Sequence, residues 1–580
     1  MSTPTKTEMI IMQADNLYSY HPELKSTITL KQSVEGQEDQ TEYEVDVILH
    51  DRPNVSPAEL APYIAEKAEV DINDLEIGRK KIRLTLHQDR LDDVASLDSV
   101  NRIEEVRPKT VYNNHAREIL RADFMTTGSR SRYTGANQTI CVADTGFDQG
   151  TADYATVHPA FVGRVKHLKS WWLPGDAKDP DGHGTHVCGS ISGSGIYTGK
   201  GEALHVKGTA PNALLMVQAM SKWNKKWILK PPMEIDSLFI DAYQHDVRIH
   251  NNSWGDAWDK RTGQLGYEGD ATAVDKFVHE HQDFVILIAA GNDADKESHG
   301  ESQIGDNGAA KNCITVGATG STRSNDSFKV KPQSPKHLTP TDTAHFSSRG
   351  PTKCSKNCKC EDVVGRIKPD VVAPGVAILS AGSRSTTGNQ RTMFKSRYGD
   401  SQNDDWFFMS GTSMATPLVA GCVALMREAL EKKEKRHPSA ALIKALLING
   451  AVNHSSPGGL VFDYEQGFGL VDVDASIDMI EKETFVDGGN KFEMSKWDAP
   501  LLNNIRKEDG EWQSHEIPLP TGHHRLAVTL AYTDPEHSLL QNNVNLIVRA
   551  SGEERHGNMG TDQGFDKTSK FGVAYLLAEC

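Results

Sequence analysis

Three residue types that could share one nucleophilic reaction stand in unusual local company in this chain. Ser413 lies in MSGTSMATPLVAGCVALM, where small residues surround the hydroxyl and an apolar helical stretch follows at once. A helix start offers free backbone N–H groups and a partial positive charge, which favour an oxyanion beside the serine. Capping that helix is the bland use of the same residue, and serine is among the commonest caps. His183 lies in DPDGHGTHVCGSISGSG, bracketed by glycines that let neighbouring backbone approach closely. With His186 it could form a zinc pair on one helical face, but no glutamate stands between them and no third ligand is near in sequence. Asp144 ends the run TICVAD, so its carboxylate emerges at the C-terminal end of a strand, where a turn-forming role is the alternative. Together they supply a nucleophile, a base able to take its proton, and an acid able to hold that base in one tautomer.

The elements that must position these residues are legible as apolar runs. TICVAD, ALLMVQAM, FVILIAAGN, CITVGA and DVVAPG carry no polar alternation and alternate with helical segments between about 113 and 480. Strands buried on both faces of a parallel sheet look like this, so the block reads as a doubly wound α/β domain with its chemistry at the strand ends. Residues 1–40 are polar and aperiodic and read as a flexible leader. Across 41–112 the order is β-α-β-α-β, a ferredoxin-like unit. Its strands run through Tyr43–Leu49, Ile82–Leu86 and Ile103–Val106, with a capping-box helix start at Ser56, Pro57 and Glu59 and an apolar stripe of Leu60, Ile64 and Ala68. Residues 484–580 read as a small β domain, with RLAVTLAYTD and NVNLIVRA as strands.

Composition bounds the partners. Acids outnumber bases 79 to 63 in 580 residues, giving a net charge of −16 that repels phosphate backbones and anionic lipid, so neither nucleic acid nor a membrane is expected as partner. No stretch of ~18 uninterrupted apolar residues occurs. The N-terminus lacks the features of a secretory signal, which favours an intracellular protein; a secreted one follows if residues are missing from that end. Eight cysteines are too few for a disulfide framework, and Cys141, Cys188, Cys313 and Cys422 sit in apolar stretches as small hydrophobes. CSKNCKC at 354–360 interleaves Cys354, Cys358 and Cys360 with lysines, and surface loop, redox-sensitive cluster and metal site stay open for it.

The segments VADTGFD, DGHGTHVCG, AAGN and GTSMATP, in that order along the chain, closely resemble the signatures of the subtilisin-like serine proteases. FSSRGPT at 346–352 and VVAPG at 371–375 also look like family segments, and the resemblance covers about 113–475. The order Asp, His, Ser is the subtilisin order rather than the chymotrypsin one. The resemblance implies a subtilisin-like, mainly parallel sheet with helices on both faces. It further implies a serine endopeptidase in which Ser413 is the nucleophile, His183 the general base and then acid, and Asp144 the residue that orients and stabilises the imidazolium. Asn292, in AAGN, would donate to the oxyanion together with the Ser413 backbone N–H. NNSWG resembles the family's edge segment for extended substrates, so Ser253, Trp254 and Gly255 would line the primary subsite wall. Asp293 could be an acidic pocket-rim residue or a solvated loop acid.

The likeness extends to the family's subgroup with an N-terminal propeptide and a C-terminal β-sandwich. It implies that 41–112 is an intramolecular inhibitor and folding chaperone, cut near Tyr112 or Asn113. LAYTDPEHSLLQNNVNLIVRASG resembles a sandwich segment, after which the likeness stops, and the tail is expected to be an incomplete sandwich. No cofactor is required; many family members bind calcium, but no acidic loop of the EF-hand kind places such a site here. A protein or peptide substrate and a monomer are expected. Two other functions share the same residues: a peptide ligase or macrocyclase, in which an amine rather than water resolves the acyl-enzyme, and a catalytically silent binding protein.

Overall fold

The computed structural model describes residues 27–29, 42–50, 56–105, 109–111, 117–122, 133–197, 204–487 and 523–579, apart from 225, 257, 259–263, 265, 295–301, 322–337, 354–364, 435–436, 454–461, 543, 551–552 and 560–570. The chain divides into two compact units: residues 1–108 with 231–237 and 259–263, and the remainder.

In the smaller unit the capping box forms at helix α1 (Pro57–Ala68). The Ser56 backbone N–H donates to Glu59 Oε2 (2.9 Å) and Ser56 Oγ accepts from the Glu59 N–H (3.4 Å). Pro62 lies inside the helix, which nevertheless runs on to Ala68. Strands β1 (Thr27–Thr29), β2 (Glu42–Leu49), β3 (Glu76–Ile77), β4 (Lys81–His87) and β5 (Val100–Glu105) make one sheet in the order β1-β5-β2-β4-β3. Helix α2 (Leu91–Ala95) and α1 close a core of Val45, Val47, Ile64, Ile82, Leu84, Val94 and Ile103. This is the expected alternation of strand and helix. One part of the leader departs from expectation: Thr27–Thr29 pairs in parallel with Arg102–Glu104. The edge of β5 would otherwise present unpaired backbone groups. Its remaining residues, like Tyr112, Asn113 and the cysteines of 354–360, lie outside the described residues.

The larger unit opens with β6 (Lys109–Val111), followed by β7 (Thr139–Asp144), β8 (Val165–Ser170), β9 (Ser194–Tyr197), β10 (Leu204–Lys207) and β11 (Leu214–Ala219). Next come β12 (Ser221–Asn224), β13 (Lys226–Leu229), β14 (Ile249–Asn252), β15 (Trp254–Asp256), β16 (Val285–Ala289), β17 (Ile314–Thr319) and β18 (Val371–Pro374). Seven of them form the central sheet in the order β18-β17-β16-β14-β7-β11-β8, every pairing parallel. The fold is therefore the expected doubly wound α/β type. Strand order reverses at β7, because the chain moves outward to β8 and β11 on one side and to β14, β16, β17 and β18 on the other. A crevice beyond the C-terminal ends of strands opens at such a switch point. Asp144 is the last residue of β7.

Helices α3 (His183–Ser192), α4 (Asp236–Gln244), α5 (Gly269–Glu280), α6 (Gly388–Tyr398), α7 (Thr412–Lys432), α8 (Ala440–Gly450) and α9 (Val473–Glu481) accompany the sheet. By length and composition α7 could cross a membrane, but it is the buried core helix of this unit. The four cysteines read as small hydrophobes are free and buried, and burial pushes the Cys422 thiol up to about 12. After β19 (Ile378–Ala381) and β20 (Trp406–Met409), the C-terminal residues form β21 (His523–Ala531), β22 (Ile547–Ala550), β23 (Glu553–His556) and β24 (Phe571–Glu579). β21 pairs antiparallel with β24 and β22 with β23, so the last residues, where the sequence likeness stops, complete a ladder with the first strand of that domain.

Beneath the sheet, two buried ammonium groups share one carboxylate. Asp370 accepts from Lys368 Nζ (2.7 Å) and faces Lys444 Nζ at 2.6 Å. Lys368 also donates to Thr315 Oγ1 (2.7 Å), and the Asp370 carboxylate holds its proton above the ordinary lysine range. Burial, with the second ammonium nearby, pulls Lys444 down to about 8. The unfolded chain holds that proton to about 10.4. Between these values the unfolded state carries more protons, so this group makes folding more favourable as pH rises, by up to ~3 kcal/mol. Lys368 has the opposite sign but acts only above its unfolded value. The buried Cys141, Cys188 and Cys422 thiols, held above the ordinary thiol range by burial, act the other way above ~8.5. In urea unfolding of a Ser413→Ala protein, which avoids autolysis, Lys444→Met should therefore make stability fall more steeply between pH 8 and 10 than it does in the parent.

Candidate active site

Asp144, fully buried, receives the His183 ring at the end of β7: His183 Nδ1 lies 2.7 Å from Asp144 Oδ1. A carboxylate only accepts, so Nδ1 carries the proton in this pair. The same oxygen accepts the Thr145 N–H (2.7 Å), while Oδ2 has no hydrogen-bond partner among the described residues. The Thr145 hydroxyl donates to Asp179 Oδ1 (2.8 Å) and accepts from the Gly184 N–H (2.8 Å), joining the strand end to the start of α3. Asp179 is itself a buried hub, accepting from Gly182 N (2.8 Å), Thr185 N (2.8 Å) and Thr185 Oγ1 (2.6 Å), and burial raises its carboxyl above the usual range.

The glycines around the imidazole have identifiable work. Gly182, at φ 93°, turns the chain into α3 through a conformation that favours glycine. A Cβ on Gly184 would stand 2.3 Å from the Gly146 carbonyl oxygen, so only glycine lets α3 approach the loop after Asp144 so closely. Asp148 and Arg384 form an ion pair that ties this loop to 383–386, and Ser383 Oγ donates to the Asp179 carbonyl (2.6 Å).

Ser413 is the second residue of α7, which packs against α3. Its hydroxyl donates to the Ser253 carbonyl (2.5 Å), and Ser253 Oγ donates back to the Ser413 carbonyl (3.1 Å). It therefore does not serve as the cap of its own helix. Asn292 follows β16 and is 8% exposed. Its Oδ1 accepts from Thr412 N (3.0 Å) and Thr412 Oγ1 (3.3 Å), which fixes the amide beside the serine's own turn; its Nδ2 is buried with no hydrogen-bond partner among the described residues. An unpaired buried donor costs ~1–3 kcal/mol, so its retention calls for an explanation.

The structure brings Ser253, Trp254 and Gly255 alongside this group but alters what two of them can contribute. Trp254 is buried and its Nε1 donates to the Ala143 carbonyl (2.9 Å), while the Ser253 hydroxyl points to Ser413. Their side chains therefore turn inward, and what they offer a ligand is backbone. β15 pairs antiparallel with β6, placing Gly255 opposite Thr110 and Trp254 opposite Val111. Asp293 is buried, its N–H donating to Ser348 Oγ (3.1 Å), so it is not a solvated loop acid. His186 is not paired with His183 around an ion: its Nε2 donates to the Phe407 carbonyl (2.9 Å), and burial holds it well below the ordinary imidazole range. Among the described residues no cluster of three metal-ligating side chains occurs. Thr145, Asp179 and Thr412 were not singled out from the sequence, although each lies in or beside a quoted motif.

Known proteins share both the sequence and the architecture. A profile of the subtilase family, Peptidase S8, matches residues 135–469. The Dictyostelium discoideum protein tagD, a serine protease/ABC transporter B family protein, is 26% identical over 506 residues, covering 69% of this chain and 26% of its own length. The Bacillus subtilis serine protease AprX is 30% identical over 355 residues, covering 58% of this chain and 64% of its own. This chain thus spans about a quarter of the first relative and less than two thirds of the second. Fervidolysin from Fervidobacterium pennivorans, a solved structure at 19% identity, superposes with a TM-score of 0.50 over 95% of this chain and 70% of its own, a likeness of fold. With the profile spanning more than half of the residues, the chain belongs to the subtilase family of serine peptidases.

Proposed function

We propose that the chain hydrolyses peptide bonds through an acyl-enzyme, with Ser413 as nucleophile, His183 as general base and then acid, and Asp144 holding the imidazole. The observation that carries this reading is the Asn292 amide: a buried donor without a partner among the described residues, tied through its other atom to the turn that presents Ser413. A tetrahedral intermediate on Ser413 would give that donor its acceptor, so the bond is made only when the oxyanion exists. The reaction requires the Ser413 hydroxyl to rotate from the Ser253 carbonyl to the imidazole. Its proton then moves to His183 as the C–O bond forms and passes to the leaving amine as the C–N bond breaks. Water attacks the ester in turn, with His183 taking its proton. An extended peptide would add to the backbone edge of β15, as Lys109–Val111 does.

Support for the propeptide-like role of 41–112 lies in that same ladder, since a segment cut after it would leave a product-like strand on the edge. Calcium stays without a proposed position. The direct test is a fluorophosphonate probe with peptide mapping, alongside mass analysis of products from a defined peptide. Labelling of Ser413 and water-derived termini support hydrolysis, ligated products would favour the ligase, and no labelling in a preparation freed of 41–112 would overturn the assignment.

The site has a second titrating neighbour. Burial first, and the Asp179 carboxylate second, push Asp181 up to about 6, and its charge interacts with His183. An anion there favours the imidazolium, so removing it must lower the pH at which His183 loses its proton. Asp181→Asn should therefore move the acid limb of the kcat/KM profile to lower pH by a few tenths of a unit. A shift to higher pH would contradict the coupling.

A further inference from the structure

The C-terminal β domain reaches the backbone edge described above through a buried lysine. Lys311 and Asp534 are both fully buried and meet at 2.7 Å. The turn after β21 wraps the lysine end: Lys311 Nζ also donates to the carbonyls of Pro535 (2.6 Å) and Leu539 (3.2 Å). Asp534 in turn accepts from Gln541 N (3.0 Å) and Asn542 N (2.9 Å), so the turn is built around the ion pair. Beside it Asn312 and Asp534 exchange two bonds, Asn312 Nδ2 to the Asp534 carbonyl (2.8 Å) and Asp534 N to Asn312 Oδ1 (3.1 Å). A second crosspiece is Arg366, which donates to the carbonyls of Ser538 (2.6 Å) and Ala309 (2.7 Å).

The contacts that cross to the α/β domain meet at Ala309, Lys311 and Asn312, directly after Asn307, which holds the edge. Asn307 Nδ2 donates to the Trp254 carbonyl (3.1 Å), and its Oδ1 is fixed by the Gly308 N–H (3.0 Å). The amide therefore sets the plane of the Trp254–Gly255 peptide, one of the units that pair with Lys109–Val111. A Cβ on Gly255 would stand 3.1 Å from Asn307 Oδ1, so the amide packs closely against this edge. We propose that Asp534, Lys311 and Arg366 are positioning residues by which the C-terminal β domain holds the substrate-pairing edge of β15 in register through Asn307. This rests on the reading of β15 as the edge that takes extended peptides. The β domain then tunes affinity for long substrates without touching the reacting atoms.

Asp534→Asn breaks the ion pair, and Arg366→Lys removes the second crosspiece with charge retained. With active sites titrated by fluorophosphonate, each variant of the full chain should raise KM for a peptide long enough to lie along β15 by about five- to tenfold, with kcat and the probe's labelling rate within about twofold of the parent. Hydrogen exchange should quicken at 254–256 and 306–312 and stay unchanged in α3. Unchanged KM and exchange in folded variants overturn the proposal, as does a parallel fall in labelling and peptide hydrolysis, the mark of general destabilisation. If Asp534→Asn does not fold, Arg366→Lys carries the same test. A parent protein that fails to label at Ser413 counts against the proposed chemistry, while the exchange measurement still reads the brace.

Discussion

Ser413→Ala is expected to lower kcat for peptide hydrolysis by roughly 10⁶-fold and to abolish fluorophosphonate labelling, with the fold intact. The loss is that large because in the proposed mechanism the hydroxyl forms the covalent bond: without it the amide must be attacked by water directly, and the imidazole has no nucleophile to deprotonate. Packing gives no reason for a structural effect, since the hydroxyl donates to a backbone carbonyl, that of Ser253. His183→Ala should cost about as much, because the two act as one unit and the losses do not add. Turnover surviving at more than about a thousandth of the parent rate would remove Ser413 from the nucleophile's role.

Asn292→Ala should lower kcat by ~10²–10³-fold and leave KM nearly unchanged, equivalent to ~2.7–4 kcal/mol of transition-state stabilisation. The split follows from the unpartnered Nδ2, which has no ground-state bond to lose. The substitution also removes the Oδ1 acceptor of Thr412 N, so a thermal melt must accompany the kinetics. A rise in KM with kcat preserved would mean that the amide binds substrate rather than the oxyanion.

Much of the fold was legible because strands buried on both faces leave uninterrupted apolar runs: TICVAD, ALLMVQAM, FVILIAAGN, CITVGA and DVVAPG all supply strands of the central sheet. β8, sequence VKHLKS, escaped notice for the complementary reason. It is an edge strand, no residue of it is fully buried, and its exposed Lys166 and Lys169 interrupt any apolar run. Thr27–Thr29 is too short to show any period and is defined only by its neighbour β5.

At the site, motifs conveyed residue type and order but not side-chain direction. Ser253 and Trp254 were expected as a subsite wall; the tryptophan turns inward because its ring needs burial and its N–H an acceptor, found at Ala143. The Lys311–Asp534 pair leaves no local trace at all. Its partners are 223 residues apart, and each alone reads as an ordinary surface charge.

Lys109–Val111 lying on β15 also has a kinetic consequence. A strand attached to the surface it covers competes at an effective concentration of about millimolar, set by its tether rather than by dilution. Micromolar peptides arriving from solution would be outcompeted roughly a thousandfold while the tether is intact. The cut proposed after 41–112 would turn a permanent neighbour into a molecule that can diffuse away. Onset of activity would then follow a single internal clock, the same in dilute and in crowded preparations, until freed enzyme begins to cut its neighbours.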